Sequence, residues 1–278
     1  MHTCFLYTSV LKFNPTRDDP SFGSDVVMID LEDSVHTSEK DKARNALTQL
    51  DLRGLINKDK TFGVRINNIN SMNGIRDLDV VFRCVQSGLL PINYLQIPKV
   101  NSHYDVLRCR SYIKELPTSL KIFPIVETPE GVADLEKIAA VSDILLFGQA
   151  DLTAVMYKTN ISYLEHARGR FCVACAQAKI CPVDTSMFEE ISNMSEYKLG
   201  CEKSKEEGFM AKAVIHPNQI PIVKKIFSVS SRELEEYKLI IDSYERADTG
   251  FQIRAGSVIA PPFVEKAKLM LDFYQEAS

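Results

Sequence analysis

Two carboxylic acids follow short apolar runs near the middle of the chain. The run IFPIV (122–126) leads directly to Glu127, and the run ILLFG (144–148) is followed by Gln149, Ala150 and Asp151. Mg²⁺ prefers oxygen ligands, and it commonly takes one or two protein carboxylates and completes its octahedron with water and substrate. If both runs are neighbouring strands, the two acids are close enough to hold such an ion.

Other polar residues also follow apolar runs. Arg65 lies in the run FGVRI (62–66), and its planar guanidinium can bind a substrate carboxylate or a polarised carbonyl oxygen. A metal ion and an arginine together can stabilise an enolate, which develops when a C–C bond beside a carbonyl is made or broken. Because buried charges without partners are costly, we expect these groups to share one polar site. The remaining members of this set are Asp30, Glu32, Asp33, Asn67, Lys99 and His216.

Each of these residues also has an ordinary structural explanation when it is taken alone. Asp151 precedes a helical pattern and can cap it, whereas Glu127 can pair with Lys99 or Arg65. The occurrence of several such residues at strand ends favours a shared site. We therefore assign Glu127 and Asp151 to the metal, and we assign Arg65, Lys99 and Glu127 to substrate binding.

The remaining acids and the histidine are given supporting positions. Asp30, Glu32 and Asp33, in IDLEDS, are interpreted as groups that orient the ligands or cap the next helix. His216 is followed by Pro217 and is interpreted as fixing the turn from a strand into a helix rather than acting as a base.

Strand-length apolar runs alternate with helical patterns along most of the chain, which predicts a parallel sheet. Eight such units in about 225 residues predict a (β/α)8 TIM barrel, with a doubly wound open sheet as the alternative. The predicted strands are residues 3–9, 26–30, 62–66, 94–98, 122–126, 144–148, 181–185 and 213–216.

Helix start signals precede several of the helical patterns. Thr37 and Ser38 come before EKDKARNALTQL, and Asn101 and Ser102 come before HYDVLRCRSYIKEL. After the last predicted strand the alternation stops, and two amphipathic helices are predicted in SRELEEYKLIIDSYERA and PPFVEKAKLMLDFYQEA. The sequence therefore predicts one domain, with a barrel over about residues 1–228 and a helical extension over about 229–278. Such an extension usually caps the barrel or packs on a neighbouring subunit.

Composition and charge exclude several functional classes. The chain has 278 residues, 45% of them hydrophobic, and a formal net charge of -4. This charge offers no basic field for nucleic acid. No apolar run approaches the roughly 20 residues of a membrane helix, and the N-terminus lacks the features of a signal peptide. We therefore expect a cytoplasmic protein without membrane or nucleic-acid partners.

Seven cysteines lie in mostly apolar surroundings, which is typical of reduced, buried thiols. Cys172 and Cys175 form a C-x2-C pair with Cys181 nearby. No second pair or suitably spaced histidine completes a zinc site, so core positions on a helix are favoured.

Six stretches together resemble the citrate lyase beta-subunit family within the HpcH/HpaI aldolase superfamily. They are VVMIDLEDSVHTSEKDKAR, VRIN, LQIPKV, PIVETPEGV, LLFGQADLTA and AKAVIHPNQIPIVKKIFS. The resemblance implies a TIM barrel that binds Mg²⁺, acts on acyl thioesters such as malyl-, citramalyl- or citryl-CoA, and assembles as a trimer or hexamer. By position, Glu127 and Asp151 match the family's metal ligands, and Arg65 matches its substrate-binding arginine.

The sequence departs from the family pattern at three places. The first strand of many members reads RSLLFVPG, whereas HTCFLYTSVLKFNPTR here lacks the arginine and glycine of that stretch. Ala150 replaces the acid of GAEDL. Near the C-terminus, relatives that cleave malyl- or citramalyl-CoA carry an acid that completes the neighbouring subunit's site, and Ile259 in GSVIAPPF stands at that position. An isoleucine cannot move a proton, so a mechanism that uses this acid is impaired or replaced.

The function that these observations favour is a Mg²⁺-dependent carbon–carbon lyase acting on a 3-hydroxyacyl thioester or a related 3-hydroxy or 2-oxo acid. A pyruvate-dependent class II aldolase acting on free acids is the closest alternative, although such enzymes generally lack IHPNQI and the long C-terminal extension. An acyl-CoA thioesterase is also possible. The replacement at Ile259 favours a fourth reading, a non-catalytic metal-binding barrel that acts through assembly.

Overall fold

Eight parallel strands close into a barrel in chain order, and each strand is hydrogen-bonded to the next, with β8 paired to β1. The computed structural model describes residues 2–17, 19–56, 60–116, 119–185, 193–246, 250–254 and 257–275. The closed sheet confirms the TIM-barrel prediction and excludes the open sheet. The strands are β1 Cys4–Ser9, β2 Val26–Asp30, β3 Thr61–Arg65, β4 Tyr94–Ile97, β5 Lys121–Val126, β6 Ile144–Phe147, β7 Cys181–Asp184 and β8 Ala211–Val214.

Helices follow the strands and continue after the last one. Short 3-10 helices over Thr37–Glu39 and Pro217–Gln219 precede two of them. The helices are α1 Lys40–Gln49, α2 Arg53–Ile56, α3 Met72–Gln86, α4 His103–Ile113, α5 Pro129–Ala133, α6 Leu135–Ala140, α7 Gln149–Ala154, α8 Ile161–Ala178, α9 Met194–Glu206, α10 Ile220–Phe227, α11 Ser231–Glu245 and α12 Pro261–Gln275.

The predicted helix starts are placed to within a few residues. Ser102 caps α4 and forms a capping box with Asp105, as its position before HYDVL indicates. The first helix begins differently, because His36 caps a 3-10 turn through Ser38 and α1 starts only at Lys40. Local side-chain to backbone bonds therefore set both starts.

The chain divides into two compact units. The barrel unit is Thr3–Ile226, and the C-terminal unit is Phe227–Ser278 together with the first two residues. The division falls close to the predicted end of the barrel, whereas the organisation of both units as one domain stays a prediction. In the C-terminal unit, β9 Gln252–Arg254 pairs antiparallel with β10 Ser257–Ile259, and Ile259 is 5% exposed. The glycine Gly256, on which the alignment of GSVIAPPF depends, lies outside the described residues.

Inward-facing side chains fill the barrel. The core includes Phe5, Met28, Tyr94 and Phe123, and the aromatic rings of Phe5, Tyr94 and Phe123 lie 5.3–6.1 Å apart. Strand β8 begins at Ala211, two residues before the predicted start. The prediction started the strand too late because the charged Lys212 interrupts the apolar run in the sequence. Lys212 is only 4% exposed, and its ammonium is paired with an acid on β7, which offsets the cost of burying the charge.

The cysteines are buried in this framework. Cys172 and Cys175 lie on α8, and Cys181 opens β7. The seven thiols are all free, and burial raises the pKa of Cys172 to about 12, so this thiol stays protonated. None of the helices in the described ranges combines the length and apolar character needed to cross a membrane. The cytoplasmic location stays a prediction.

A glycine in β3 leaves room for the large core side chains. A Cβ atom at Gly63 would overlap the thioether of Met28 and the Cβ of Tyr94. We expect Gly63→Ala to lower the free energy of unfolding by about 1–3 kcal/mol, because overpacking forces neighbouring side chains from their rotamers. Gly169→Ala is the matched control, since a Cβ there meets open space on α8, and it should raise stability by about 0.5–1 kcal/mol. Urea unfolding of both variants measures the difference, and equal effects would contradict the packing argument.

Candidate active site

A cavity of about 510 Å³ opens at the carboxyl ends of the strands. Its floor includes Ile125, Leu146 and Ala213, and polar groups surround its opening. This is the end of a TIM barrel at which active sites form. The polar lining includes Tyr7, Ser9, Lys12, Asp30, Asp33, Arg65, Glu127, Asp151 and Thr185.

Arg65 is held in place by two acids from the end of β2. Its Nε and Nη2 each lie 2.7 Å from one carboxylate oxygen of Asp30, which is a bidentate contact, and its Nη1 lies 2.9 Å from Oε2 of Glu32. Burial opposes ionisation of Asp30, but Arg65 and hydrogen bonds from Ser34 and Glu32 hold its pKa below the usual range. One edge of the guanidinium is thus used by the protein, and the N–H groups that remain on Nη1 and Nη2 are available to a ligand.

Glu32 has two oxygens in different situations. Its Oε1 accepts a 2.5 Å hydrogen bond from Nζ of Lys99. Its Oε2 is close to Arg65 but at angles that make no hydrogen bond, so among the described residues it is a buried acceptor without a hydrogen-bond partner. Burial raises the pKa of Glu32 to about 6, against the lowering effect of Arg65 and with a further increase from Asp33. The carboxylate is therefore strongly disfavoured by its surroundings.

Lys99 connects the acids across the mouth of the barrel. Its backbone N–H donates a 2.8 Å hydrogen bond to Oε1 of Glu127, and its Nζ lies 3.4 Å from Asp151 and 3.6 Å from Asp33. The residue adopts a left-handed backbone with φ of 53°, which is uncommon outside glycine. Partial burial opposes its charge, but Glu32 and Glu127 raise its pKa above the usual value. Lys99 therefore stays cationic and supplies part of the charge that the acids need.

Glu127 and Asp151 approach the cavity from neighbouring strands, as predicted. Glu127 follows β5 and is 4% exposed, whereas Asp151 lies in the first turn of α7 with a side chain that is 39% exposed. Burial raises the pKa of Glu127 well above its usual range, and the nearby Glu32 and Asp151 raise it further. A Cβ at position 148 would overlap Oε2 of Glu127, so Gly148 is needed for this carboxylate to reach its position. The pair is suited to a cation.

Glu127 and Asp151 would provide a metal ion with only two protein side chains as ligands. Across the ranges that the structure describes, no group of three or more His, Cys, Asp or Glu side chains is arranged to hold a metal ion. Two carboxylates are what a Mg²⁺ site with several water or substrate ligands requires. The assignment of Glu127 and Asp151 as metal ligands therefore stays a prediction.

The sequence pattern that defines one enzyme family covers most of the barrel unit. The HpcH/HpaI aldolase/citrate lyase pattern matches residues 5–217. The chain belongs to this family. Membership confirms the resemblance seen in the six motifs, and it also confirms the prediction of an enzyme of the aldolase and citrate lyase type.

Curated relatives of the HpcH/HpaI family cover nearly the whole chain. Citrate lyase subunit beta of Haemophilus influenzae is 30% identical over 266 residues, which cover 89% of this chain and 88% of that protein. The L-malyl-CoA/beta-methylmalyl-CoA lyase of Rhodobacter capsulatus is 25% identical over 280 residues and covers 89% of this chain and 86% of its own. The chain is thus similar to two lyases over the barrel and much of the extension.

A solved structure shows the same fold. The CitE protein of Mycobacterium tuberculosis, in complex with magnesium, acetoacetate and coenzyme A, superposes with a TM-score of 0.73 at 22% identity. The match covers 98% of this chain and 97% of that chain. A likeness at this identity shows a shared fold, and the family assignment itself depends on the sequence matches.

Two of the residues singled out in the sequence have structural roles outside the group of acids. Asn67 donates hydrogen bonds to Asp77 and to the carbonyl oxygen of Leu31, which ties β3 to α3 and to the loop after β2. His216 accepts a hydrogen bond from the backbone N–H of Asn218 and caps the 3-10 helix after β8. The structure therefore places His216 in the strand-to-helix turn where the sequence put it.

Tyr7 and Gln96 were not found by sequence reasoning, and neither were the cavity-lining residues Ser9, Lys12 and Thr185. Tyr7 donates a 2.6 Å hydrogen bond to Oε1 of Gln96, and the guanidinium of Arg65 lies 5.2 Å from the centre of the Tyr7 ring. Gln96 is fully buried, and its Nε2 has no partner in the described part of the chain. A signal for both was present, because each polar residue lies two positions after an inward-facing aromatic of the same strand. Tyr7 and Gln96 form a hydrogen-bonded polar pair beside Arg65.

A second group of buried charges lies on the outer side of β7 and β8. Asp184 is 2% exposed and accepts hydrogen bonds from Arg168, Ser204 and Lys212 at 2.6–3.2 Å. Burial opposes its ionisation, but Lys212 and Arg168 lower the pKa of Asp184 to about 2. Arg168 also pairs with Glu207, so two cations and two acids balance in this network.

The contacts of Arg65 predict a large cost for even a conservative change. Arg65→Lys keeps the charge but cannot bond both oxygens of Asp30 and also approach Glu32. We expect the free energy of unfolding to fall by about 1–3 kcal/mol, because buried acceptors lose partners. Arg83→Lys, at an exposed ion pair on α3, is the control and should change stability by less than about 0.5 kcal/mol. Denaturant unfolding of both variants checks the prediction, and a similar small effect for both would contradict it.

Proposed function

We propose that this protein is a Mg²⁺-dependent carbon–carbon lyase that acts on a 3-hydroxyacyl thioester of the citryl-, malyl- or citramalyl-CoA type. The observation that carries the proposal is the convergence of Glu127, Asp151 and Arg65 on one cavity at the catalytic end of the barrel. The lyase names of the relatives support the substrate class. The magnesium, acetoacetate and coenzyme A bound to the CitE neighbour agree with it.

The residues present fit a magnesium ion. Glu127 and Asp151 supply hard carboxylate oxygens, and a cation would favour the ionised form of Glu127, whose pKa is raised by burial and by the nearby Glu32 and Asp151. We propose that these two acids hold the ion. When bound, Mg²⁺ supplies Lewis acidity that polarises a carbonyl oxygen and stabilises the charge of an enolate.

We propose that the remaining groups of the mouth bind and orient the substrate. Cleavage breaks the bond between the carbinol carbon and the carbon beside the thioester carbonyl. The carbinol hydroxyl loses its proton to a base and becomes a carbonyl, and the electron pair of the broken bond becomes an enolate on the thioester fragment, which then takes up a proton at carbon. Arg65 retains N–H groups that can donate to this oxygen, and Lys99 provides a second cation within the same group of acids. Arg65→Lys is therefore also expected to lower turnover by a large factor in steady-state assays.

A second candidate function is a barrel that binds metal and ligand with slow or no turnover. The specific observation in its favour is Ile259, which replaces the acid that malyl- and citramalyl-CoA lyases carry in the resembling segment. A thermal-shift screen of CoA thioesters and free 2-oxo acids, with and without Mg²⁺, first identifies the ligand class, because a ligand of the native state raises its stability. Stabilisation by free acids alone would favour the aldolase, and release of free CoA without C–C cleavage would favour thioester hydrolysis.

Assembly into a trimer or hexamer belongs to the same proposal. The C-terminal unit exposes large apolar side chains, which include Phe251, Ile253, Val258 and Phe263. Exposed apolar clusters are typical of protein–protein contacts and support self-association. Light scattering after size-exclusion chromatography measures the assembly, and a monomer at micromolar concentration would contradict it.

The metal assignment predicts the behaviour of a single variant. Glu127→Gln keeps the shape of the side chain but removes its charge, so it should weaken Mg²⁺ binding while leaving the fold intact. Calorimetric titration with Mg²⁺ measures the affinity. Glu130→Gln, an exposed acid in the first turn of α5, is the control and should bind like the native protein. Undiminished affinity in Glu127→Gln would show that the ion binds elsewhere.

The isoleucine at position 259 leads to a prediction about the rate at which the protein cleaves malyl- and citramalyl-CoA. If the family's C-terminal acid moves the proton at the enolate carbon, its absence removes about a 10²–10⁴-fold contribution. We expect weak or undetectable cleavage of malyl- and citramalyl-CoA with metal binding preserved, and at least partial recovery in Ile259→Asp. Because Ile259 is buried in this chain, that variant must first be shown to be folded by its melting curve. Rapid cleavage by the native protein would mean that another group carries the proton.

A further inference from the structure

We propose that Arg168, from outside the barrel, is a positioning residue that holds Asp151 in place for the cation through the side chain of Gln149. This inference rests on the proposed function, because it assigns a role toward the same metal. Arg168 lies on α8 and does not line the cavity at the mouth. Its connection to that cavity runs through the start of α7.

The contact itself is a hydrogen bond between neighbouring elements. Nη1 of Arg168 lies 3.0 Å from Oε1 of Gln149, which is the first residue of α7. Asp151 lies two residues further on, in the same turn. Fixing the side chain of Gln149 therefore fixes the first turn of the helix that carries the acid.

The start of α7 has few polar side-chain contacts with its surroundings, although the N–H of Gly148 bonds the carbonyl oxygen of Val126 at 2.9 Å and Leu152 is buried. The helix has only six residues, and Gly148 at its N-cap offers no side-chain hydrogen bond. Thr185 bonds the carbonyl oxygen of Phe147 at 3.1 Å and so holds the end of β6, but not the helix. Within the described residues, the polar contact of Asp151 itself is the 3.4 Å ion pair with Lys99. The position of this acid thus depends strongly on how α7 is anchored.

Arg168 can hold the start of α7 because several contacts fix the orientation of its own guanidinium. Nη1 and Nη2 bond the two oxygens of Asp184, and Nε bonds Glu207 at 2.7 Å. The guanidinium also lies 4.6 Å from the centre of the Phe209 ring. A planar group held by these partners can direct its remaining Nη1 hydrogen along only one line, toward Gln149. The strand β7 thereby sets the position of the helix start beside it.

A merely structural role would give a different result from a positioning role. If Arg168 only stabilises the packing of α8 on β7, its loss lowers the melting temperature but leaves the metal affinity of the folded protein unchanged. If it positions Asp151, the affinity falls even in variants whose stability is preserved. Partners that orient metal ligands typically contribute about 10–100-fold in affinity or activity.

The experiment is a calorimetric Mg²⁺ titration of the full chain and four variants, together with melting curves in EDTA. We expect Arg168→Met and Gln149→Leu each to raise the dissociation constant about 10–100-fold. Gln149 is only partly buried, so Gln149→Leu should melt close to the native temperature even if Arg168→Met does not. The double variant should bind no more weakly than Arg168→Met alone, because both changes break one connection. Arg170→Met is the matched control, since Arg170 lies on the same helix but bonds Glu136 and not α7, and it should bind like the native protein.

The outcomes separate this inference from the proposed function. Native affinity in Gln149→Leu, or equal losses in Arg168→Met and Arg170→Met, would overturn the positioning role while the metal site stands. Absence of Mg²⁺ binding by the native chain, or equal binding by Glu127→Gln, would overturn the metal assignment and the positioning role with it.

Discussion

An excess of negative charge at the mouth of the barrel is the constraint on which the site depends. Five carboxylates, from Asp30, Glu32, Asp33, Glu127 and Asp151, lie beside the cations Arg65 and Lys99. Lys12 also lines the cavity, and Lys40 interacts electrostatically with Asp30, Glu32 and Asp33, so the acids still outnumber the cations. Burial raises the pKa of Glu32 and of Glu127, and neighbouring acids raise both further, whereas Arg65 and hydrogen bonds keep the pKa of Asp30 low despite its burial. A protein does not gain stability by burying acids that lack counter-charges, so this arrangement is expected where function requires it. A divalent cation between Glu127 and Asp151 would supply the missing charge.

The closed barrel makes this concentration of charge possible. Parallel strands bring their carboxyl ends to one face, and the rows of inward side chains below them form a floor of large apolar groups. Small residues are needed where polar groups must approach closely. Gly148 leaves room for Glu127, and Gly63 leaves room for Met28 and Tyr94 one layer below Arg65. The acids are thus held against a rigid floor, which fixes the distances between them.

The sequence predicted the parts of the structure that follow from local periodicity. Apolar runs identified all eight barrel strands, and polar residues in or shortly after these runs led to the prediction that Arg65, Glu127 and Asp151 are neighbours. The contact of Arg168 with Gln149 could not be predicted in this way, because it joins two helices through residues 19 positions apart and depends on how the helix layer packs. Lys212 caused an error in a predicted boundary. A charged residue in an apolar run is taken as the edge of a strand unless its partner is known, and the partner of Lys212 lies on β7.

The buried charges on the outer side of β7 and β8 differ from those at the barrel mouth in how well cations and acids balance. In the outer group, Arg168 and Lys212 balance Asp184 and Glu207, and the pKa of Asp184 falls to about 2 because its charge is fully compensated. At the mouth the cations are too few, and the pKa of Glu127 rises instead. Both groups contain buried acids, so residue type alone does not distinguish them. They differ in their contacts, because Asp184 is bonded by two cations that lower its pKa, whereas Glu127 is buried beside two other acids that raise its pKa further. The hydrogen bond from Arg168 to Gln149 joins the two groups, and through it the balanced network can hold the unbalanced one in position.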